Sequence, residues 1–220
     1  TSICGIGRNR STRLNNNKRV LVKKTVLLLC LITLFLAGCG GIIDMRKISV
    51  EPKISTENMK KSSLKAGLLL DDKFTGYKYV FETGKQLFLK ANVKGEIEIG
   101  KNLSQALYGI VSSKFGNVAI APDVSEIHNV DIYFVPRIKS FTYSPPYTGM
   151  SSHTATVELE TEIFDGNGRL LRSFSIKQNG SRSIFNQFVM QTNYEMARGA
   201  VNEAIDNLLN EFSRKLDELY

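Results

Sequence analysis

The sequence predicts an α+β fold, an antiparallel sheet of about four to six strands with two helices packed on one of its faces. Three stretches carry that expectation. Ala155, Val157, Leu159, Thr161 and Ile163 alternate with Thr154, Thr156, Glu158, Glu160 and Glu162, the period of a strand with one buried and one wet face. Asp165-Gly-Asn-Gly168 follows, a turn that sends the chain back as a hairpin. Ala197, Ala200, Val201, Ala204, Ile205, Leu208, Leu209, Phe212, Leu216 and Leu219 then recur at helical steps, one apolar stripe along a helix of about Asn193–Leu219.

The remaining elements follow in chain order. Gly67–Leu70 and Tyr77–Phe81 are short apolar runs that suit strands, Gln86–Ile99 holds one or two more, and Gly76 and Gly84 punctuate them. Leu103, Ala106, Leu107, Ile110, Val111 and Phe115 predict a helix over 101–115, with Asn102 or Ser104 as N-cap and Gly116-Asn117 as its stop. Val118–Pro122 reads as a short buried strand. Val130, Ile132 and Phe134 alternate with Asp131, Tyr133 and Val135. Over Pro136–Phe141 the apolar phase shifts, which marks a bulge or a sheet edge because proline cannot donate to a central ladder. Ser144–Gly149 is a loop, and Leu170, Phe174 and Ile176 continue the return strand after the hairpin turn.

Composition narrows the function classes. Of the 220 residues, 42% are hydrophobic and 23% charged, a globular balance. The formal net charge of +8 would suit a nucleic-acid partner, but its distribution argues otherwise. Seven of the 29 basic residues lie in residues 1–38, which hold no Asp or Glu; the other 22 face 21 acidic residues. The body is almost neutral, so no nucleic-acid partner is expected. Cys4 and Cys30 lie in the same leader, which leaves Cys39 alone after position 38 and no internal disulfide to staple the fold.

The leader has its own logic. Lys23-Lys24 precedes a 13-residue apolar stretch, Thr25–Ala37. As a helix it rises about 20 Å, short of the ~30 Å hydrocarbon core, so it reads as a cleavable signal peptide rather than a span. It ends in Leu36-Ala37-Gly38-Cys39, which matches the lipobox of bacterial lipoproteins. A thiol is the nucleophile suited to take a diacylglycerol group as a thioether. Small residues at Ala37 and Gly38 admit an extended backbone to the signal peptidase, and Leu36 fills an apolar subsite. The resemblance implies cleavage before Cys39 and acylation of the new amine. No other cofactor is expected. Residues 1–38 are thus expected to be a leader (an upstream extension plus the signal peptide, with Val22 as the start residue). Residues 39–66 are expected to be the lipidated N-terminus and tether, with one short strand around Ile48–Val50, and residues 67–220 a single α+β periplasmic domain. A flexible tether of that length would have an end-to-end distance of about 30 Å. Gly40, where Asp would favour inner-membrane retention in enterobacteria-like systems, points to the periplasmic face of the outer membrane.

No residue pattern predicts catalysis. His128 and His153 flank strands in loop-like sequence and read as solvated rather than metal ligands. No serine sits in a Gly-x-Ser-x-Gly elbow and no phosphate-cradling glycine loop occurs. Glu158, Glu160 and Glu162 read as a solvated strand face, paired with Arg172 on the next strand, and Asp71-Asp72 as a strand-end turn. The loop Tyr143-Ser-Pro-Pro-Tyr147 offers a contact surface, because Tyr143, Pro145, Pro146 and Tyr147 present rigid amphipathic area at low entropic cost.

The layout resembles a family. The lipobox, Val50-Glu-Pro52 after it, a Gly-led first strand, Val130-Asp131-Ile132, the Thr/Val/Glu strand, the Asp-Gly-Asn-Gly hairpin and Ala197-Arg-Gly-Ala-Val-Asn-Glu-Ala204 recur in order in the YajG-like outer-membrane lipoproteins. More distantly the plan is similar to PqiC-like auxiliary lipoproteins of lipid-transport systems. The resemblance implies a non-enzymatic, lipid-anchored envelope protein that binds a protein partner or supports an envelope assembly. The alternative it leaves is an auxiliary subunit of a lipid or solute transport system binding an acyl ligand, and a pocket lined by Phe174, Leu208 and Phe212 would favour it.

Overall fold

The alternating stretch forms the second-to-last strand of a five-stranded sheet. The computed structural model describes residues 45–53, 61–83, 93–146, 152–183 and 193–219. In chain order the elements are β1 (Met45–Ser49), β2 (Ala66–Leu69), α1 (Asp72–Thr75), β3 (Lys78–Thr83), β4 (Val93–Glu98), α2 (Gly100–Phe115), β5 (Val118–Ala121), a 3-10 turn (Val124–Glu126), β6 (Ile132–Ser144), β7 (Ser152–Asp165), β8 (Leu170–Ser183) and α3 (Asn193–Leu219). The large sheet has the order β5-β2-β6-β7-β8, and a second sheet has the order β1-β4-β3.

The class is α+β, as the sequence predicts, and the pairing is mixed. β6, β7 and β8 form an antiparallel meander. β2 lies parallel to both β5 and β6, because the chain leaves β2, builds α1, β3, β4 and α2, and re-enters the sheet in the same direction. β5 is an edge strand whose Ala119 and Ile120 are exposed, not the buried strand its apolar run suggests.

Alternation sets the two faces of the sheet. Ala155, Val157, Leu159, Thr161 and Ile163 all point into the core. The phase shift in β6 is a bulge between Ile138 and Ser140. It restores Phe141 and Tyr143 to the core face, where they lie across from Val157 and Ala155. Pro136 comes after Phe134, the last β6 residue with a β2 partner, so its missing N–H interrupts no β2 pairing.

One face of the large sheet is covered by α2, α3 and the small sheet. Phe115 of α2 packs on Phe134, with ring centroids 5.5 Å apart. On α3, Ala197, Ala200, Val201, Ala204, Ile205, Leu208, Leu209, Phe212 and Leu216 are buried, and Leu219 packs at their end. α3 lies so close to β8 that a Cβ on Gly180 would sit 2.1 Å from the Ala200 carbonyl oxygen; no other residue fits there. The small sheet closes the far end of the core, where Tyr79 meets Phe141 (5.1 Å) and Phe81 meets Tyr143 (4.8 Å).

Two boundaries differ from the sequence reading. The N-cap of α2 is Ile99, which makes no side-chain cap bond. Asn102 and Ser104 lie inside the helix, where Asn102 donates to the Val50 carbonyl (2.5 Å) and Ser104 to the Gly100 carbonyl (2.7 Å). The second difference concerns the segment read as tether. It carries β1, pairs with β4, and buries Ile48 and Val50 completely or nearly so. Asn202 Oδ1 accepts from the Glu51 N–H (3.1 Å) and Asp206 Oδ1 from the Lys53 N–H (2.8 Å). The folded body therefore already includes residues 45–53, upstream of the boundary expected at residue 67.

Candidate functional site

The lipobox residues Leu36, Ala37, Gly38 and Cys39 lie outside the described residues, as does Tyr147. No helix among the described residues is long and apolar enough to cross a membrane.

Burial takes Tyr143 out of the contact surface that the composition of Tyr143–Tyr147 suggests. β6 runs on through Tyr143 to Ser144, and the core face of the strand takes Tyr143 to 5% exposure. Pro145 and Pro146 are half-buried. His153 is not a loop residue either: it sits near the start of β7 and is buried. Its Nδ1 lies 2.7 Å from the Tyr143 hydroxyl. Burial pushes the phenol's pKa well above its ordinary value, so the hydroxyl stays protonated and donates in the tautomer whose Nδ1 is bare. A buried, protonated phenol packed between Phe81 and His153 is a structural anchor for the strand end. His128 is exposed.

The glutamate row faces away from the core, and each member has its own cation. Arg137 meets Glu162 (2.9 Å), Lys139 meets Glu160 (3.0 Å) and Lys177 meets Glu158 (4.0 Å). Arg172 is not among them. It lies across from Ile163, on the opposite face of the sheet. The bulge in β6 supplies Lys139 instead. These half-exposed pairs each contribute little, about 0–1 kcal/mol, and the row forms a neutralised polar face. Among the described residues, no three His, Cys, Asp or Glu side chains converge as a metal site would need.

Two surface features remain. An open groove of about 410 Å³ runs between the Ser49–Pro52 segment and Asn102, Gln105 and Ala106 of α2. Val50-Glu-Pro52 thus lies between the two long helices, with Asn102 of α2 bound to its carbonyl and Asn202 of α3 to its amide.

The second feature is apolar and sits at the opposite end of the molecule. β8 is an outer strand of the large sheet, and its first two residues, Leu170 and Leu171, are 51% and 44% exposed. A register shift pairs Ile163 with Arg172 but Phe164 with Leu170, so Leu171 is an extra residue. The bulge turns Leu170 to the outer face, beside Phe164, which stacks on Tyr133 at 5.1 Å. Leu170, Phe174 and Ile176 lie on the return strand, as the sequence predicts, and the bulge puts Leu170 out of phase with the other two. The available signal was the Leu-Leu pair itself, since two adjacent residues of a strand cannot both face the core.

Solved structures similar to this chain include a Xanthomonas campestris protein of family DUF330, 13% identical, covering 79% of this chain and 96% of that one with a TM-score of 0.46. A minor lipoprotein from Acinetobacter baumannii is also 13% identical, covering 72% of this chain and 94% of that one with a TM-score of 0.42. No protein-family model and no curated protein sequence matches.

Between β8 and α3, where a pocket lined by Phe174, Leu208 and Phe212 would favour an acyl ligand, Phe174 packs against Phe212 with ring centroids 5.9 Å apart. Phe212 and Leu208 are both fully buried. That part of the interface is occupied by the protein's own side chains.

Proposed function

We propose that this chain is a lipid-anchored envelope lipoprotein, held by diacylglycerol and an N-acyl chain on Cys39, whose non-enzymatic domain binds a protein partner. Its place is the periplasmic face of the outer membrane. The anchor reading rests on Leu36-Ala37-Gly38-Cys39 at the end of a short apolar leader. One chain binds a bilayer only marginally, whereas two or three hold it stably.

The partner reading rests on the exposed Leu170–Leu171 pair at the start of an outer strand. Adjacent exposed leucines on a sheet edge are an aggregation hazard unless something covers them. The contrast with the filled Phe174–Phe212 contact favours a protein partner over an acyl ligand.

Two measurements test it. Cys39→Ala abolishes fatty-acid labelling and releases the protein from membranes; continued labelling overturns the anchor. A photo-crosslinking residue in place of Leu171, activated in intact cells, yields a discrete protein adduct. Crosslinks to lipid alone, or none, overturn the partner reading.

A further inference from the structure

A strand of the folded body lies close in sequence to Cys39, and this bears on how the body is oriented. Five residues, six steps along the chain, separate Cys39 from Met45, the first residue of β1. Fully extended, they reach at most about 20 Å. Met45 must therefore stay within that distance of the bilayer surface.

Contacts on both sheets show which end of the molecule this is. Met45 is in register with Gly95, and Gly95 with Phe81. Phe81 packs on Tyr143. Tyr143 is in register with Ala155, and Ala155 with Gly180. One row thus crosses both sheets, and Ser144 lies one residue beyond it. The Asp165–Gly168 turn sits at the other end of the same strands. β6 has 13 residues, so the two ends are about 40 Å apart at 3.3 Å per residue. The outer sheet face carries the cation-paired Glu158, Glu160 and Glu162 row, so it offers headgroups no net basic charge that would hold the molecule flat on the bilayer.

We infer that the protein stands end-on upon the bilayer that carries its own lipid. The Met45–Ser144 end faces the membrane, and Leu170 and Leu171 are held about 40 Å out. The inference rests on the Cys39 anchor and deepens the partner reading: the exposed leucines are presented away from the membrane, to a protein in the aqueous space.

Cys39 is the one thiol after position 38, and lipid blocks it, so a single introduced cysteine can be labelled cleanly. Ser144→Cys and Asn167→Cys place a donor dye on exposed residues at the two ends. The full precursor is lipidated in cells, purified and reconstituted into vesicles with an acceptor dye in the headgroup layer. Each variant is first matched to the parent in urea midpoint, and mass spectrometry of the same sample reports the lipid. The expected result is energy transfer several-fold stronger from Ser144→Cys than from Asn167→Cys. Equal transfer, or stronger transfer from Asn167→Cys, with lipid present overturns the orientation and leaves the anchor standing. Absence of lipid overturns both.

Discussion

Lys114 and Asp217 tie the two long helices together: the Lys114 side chain of α2 is wholly buried, and its Nζ donates to Asp217 Oδ1 of α3 across 2.7 Å. The pair is asymmetric, since the Asp217 side chain is 40% exposed and water can solvate it if the lysine is lost. The buried ammonium has no such relief. Asp217→Asn is therefore expected to cost about 1–3 kcal/mol, the penalty for stripping a buried charge of its counter-ion discounted for partial exposure. Lys114→Met, which fills the same volume with apolar atoms, should cost less than about 1 kcal/mol. Urea unfolding of both variants checks the order; a larger loss for Lys114→Met contradicts it.

The contact between Gly180 and Ala200 sets how closely α3 lies on β8. A methyl group on Gly180 would meet the Ala200 carbonyl oxygen at 2.1 Å and the Ala204 nitrogen at 2.5 Å, both backbone atoms. Neither can swing aside, so the helix must lift from the sheet. Gly180→Ala is expected to destabilise by about 1–3 kcal/mol, the usual cost of overpacking, despite the gain in strand propensity. A shift in stability below about 0.5 kcal/mol would show that the helix seat is softer than the geometry implies.

These two predictions concern positions of unequal legibility. β7 and α3 were readable because a long strand with one wet face and a long helix with one apolar stripe each repeat their period many times. Gly180 falls in a polar stretch, Gln178-Asn-Gly-Ser181, whose close approach to a helix leaves no local trace. β1 was mostly hidden for a similar reason. Met45-Arg-Lys-Ile-Ser49 offers one clear inward residue, Ile48, and a parallel pairing with β4 depends on chain reversal far away. Lys114 was not singled out in the sequence, although helical spacing places it beside Leu107, Ile110 and Val111 on the buried stripe. The Tyr143 reading failed at a strand end, and the strand predicted at Leu170 formed with a bulge that the sequence reading lacked. Pro145-Pro146 suggested that Tyr143 belonged to the loop, when the strand runs on to Ser144. The bulge at Leu171 puts Leu170 out of phase with Phe174 and Ile176. The Leu36–Cys39 reading rests on sequence alone and lies outside the described residues.

The Tyr143–His153 bond gives a third expectation. Tyr143→Phe keeps the ring packed on Phe81 and removes the donor to His153 Nδ1. A buried acceptor that loses its donor costs about 1–3 kcal/mol. Because burial keeps the phenol protonated through and beyond neutral pH, the loss should be the same at pH 7 and pH 9. Thermal unfolding of parent and variant at both values tests this, and a deficit that vanishes by pH 9 would mean the phenol ionises in the fold.

Asp206 is held in the reverse sense from an ordinary ion-paired carboxylate. Partial burial raises its pKa, against the lowering effect of the Lys53 backbone N–H, Lys53 and Arg182, with Glu203 adding to the rise. A raised pKa means that the folded state holds the proton more tightly than the unfolded chain. Folding therefore gains as pH falls through the folded-state value, and the full gain is present below the unfolded value, about 3.9. Above the folded value the carboxylate is charged and the desolvation cost remains. Asp206→Asn keeps an Oδ1 acceptor for the Lys53 N–H, now bound at 2.8 Å, and removes the charge. The variant is expected to be more stable than the parent at pH 7, with the two converging as pH falls toward 3.9. Chemical denaturation across pH 3.5 to 7 reads the difference directly. If the variant is instead less stable at pH 7 and the gap closes in acid, the charge of Asp206 contributes more through Lys53 and Arg182 than its burial costs.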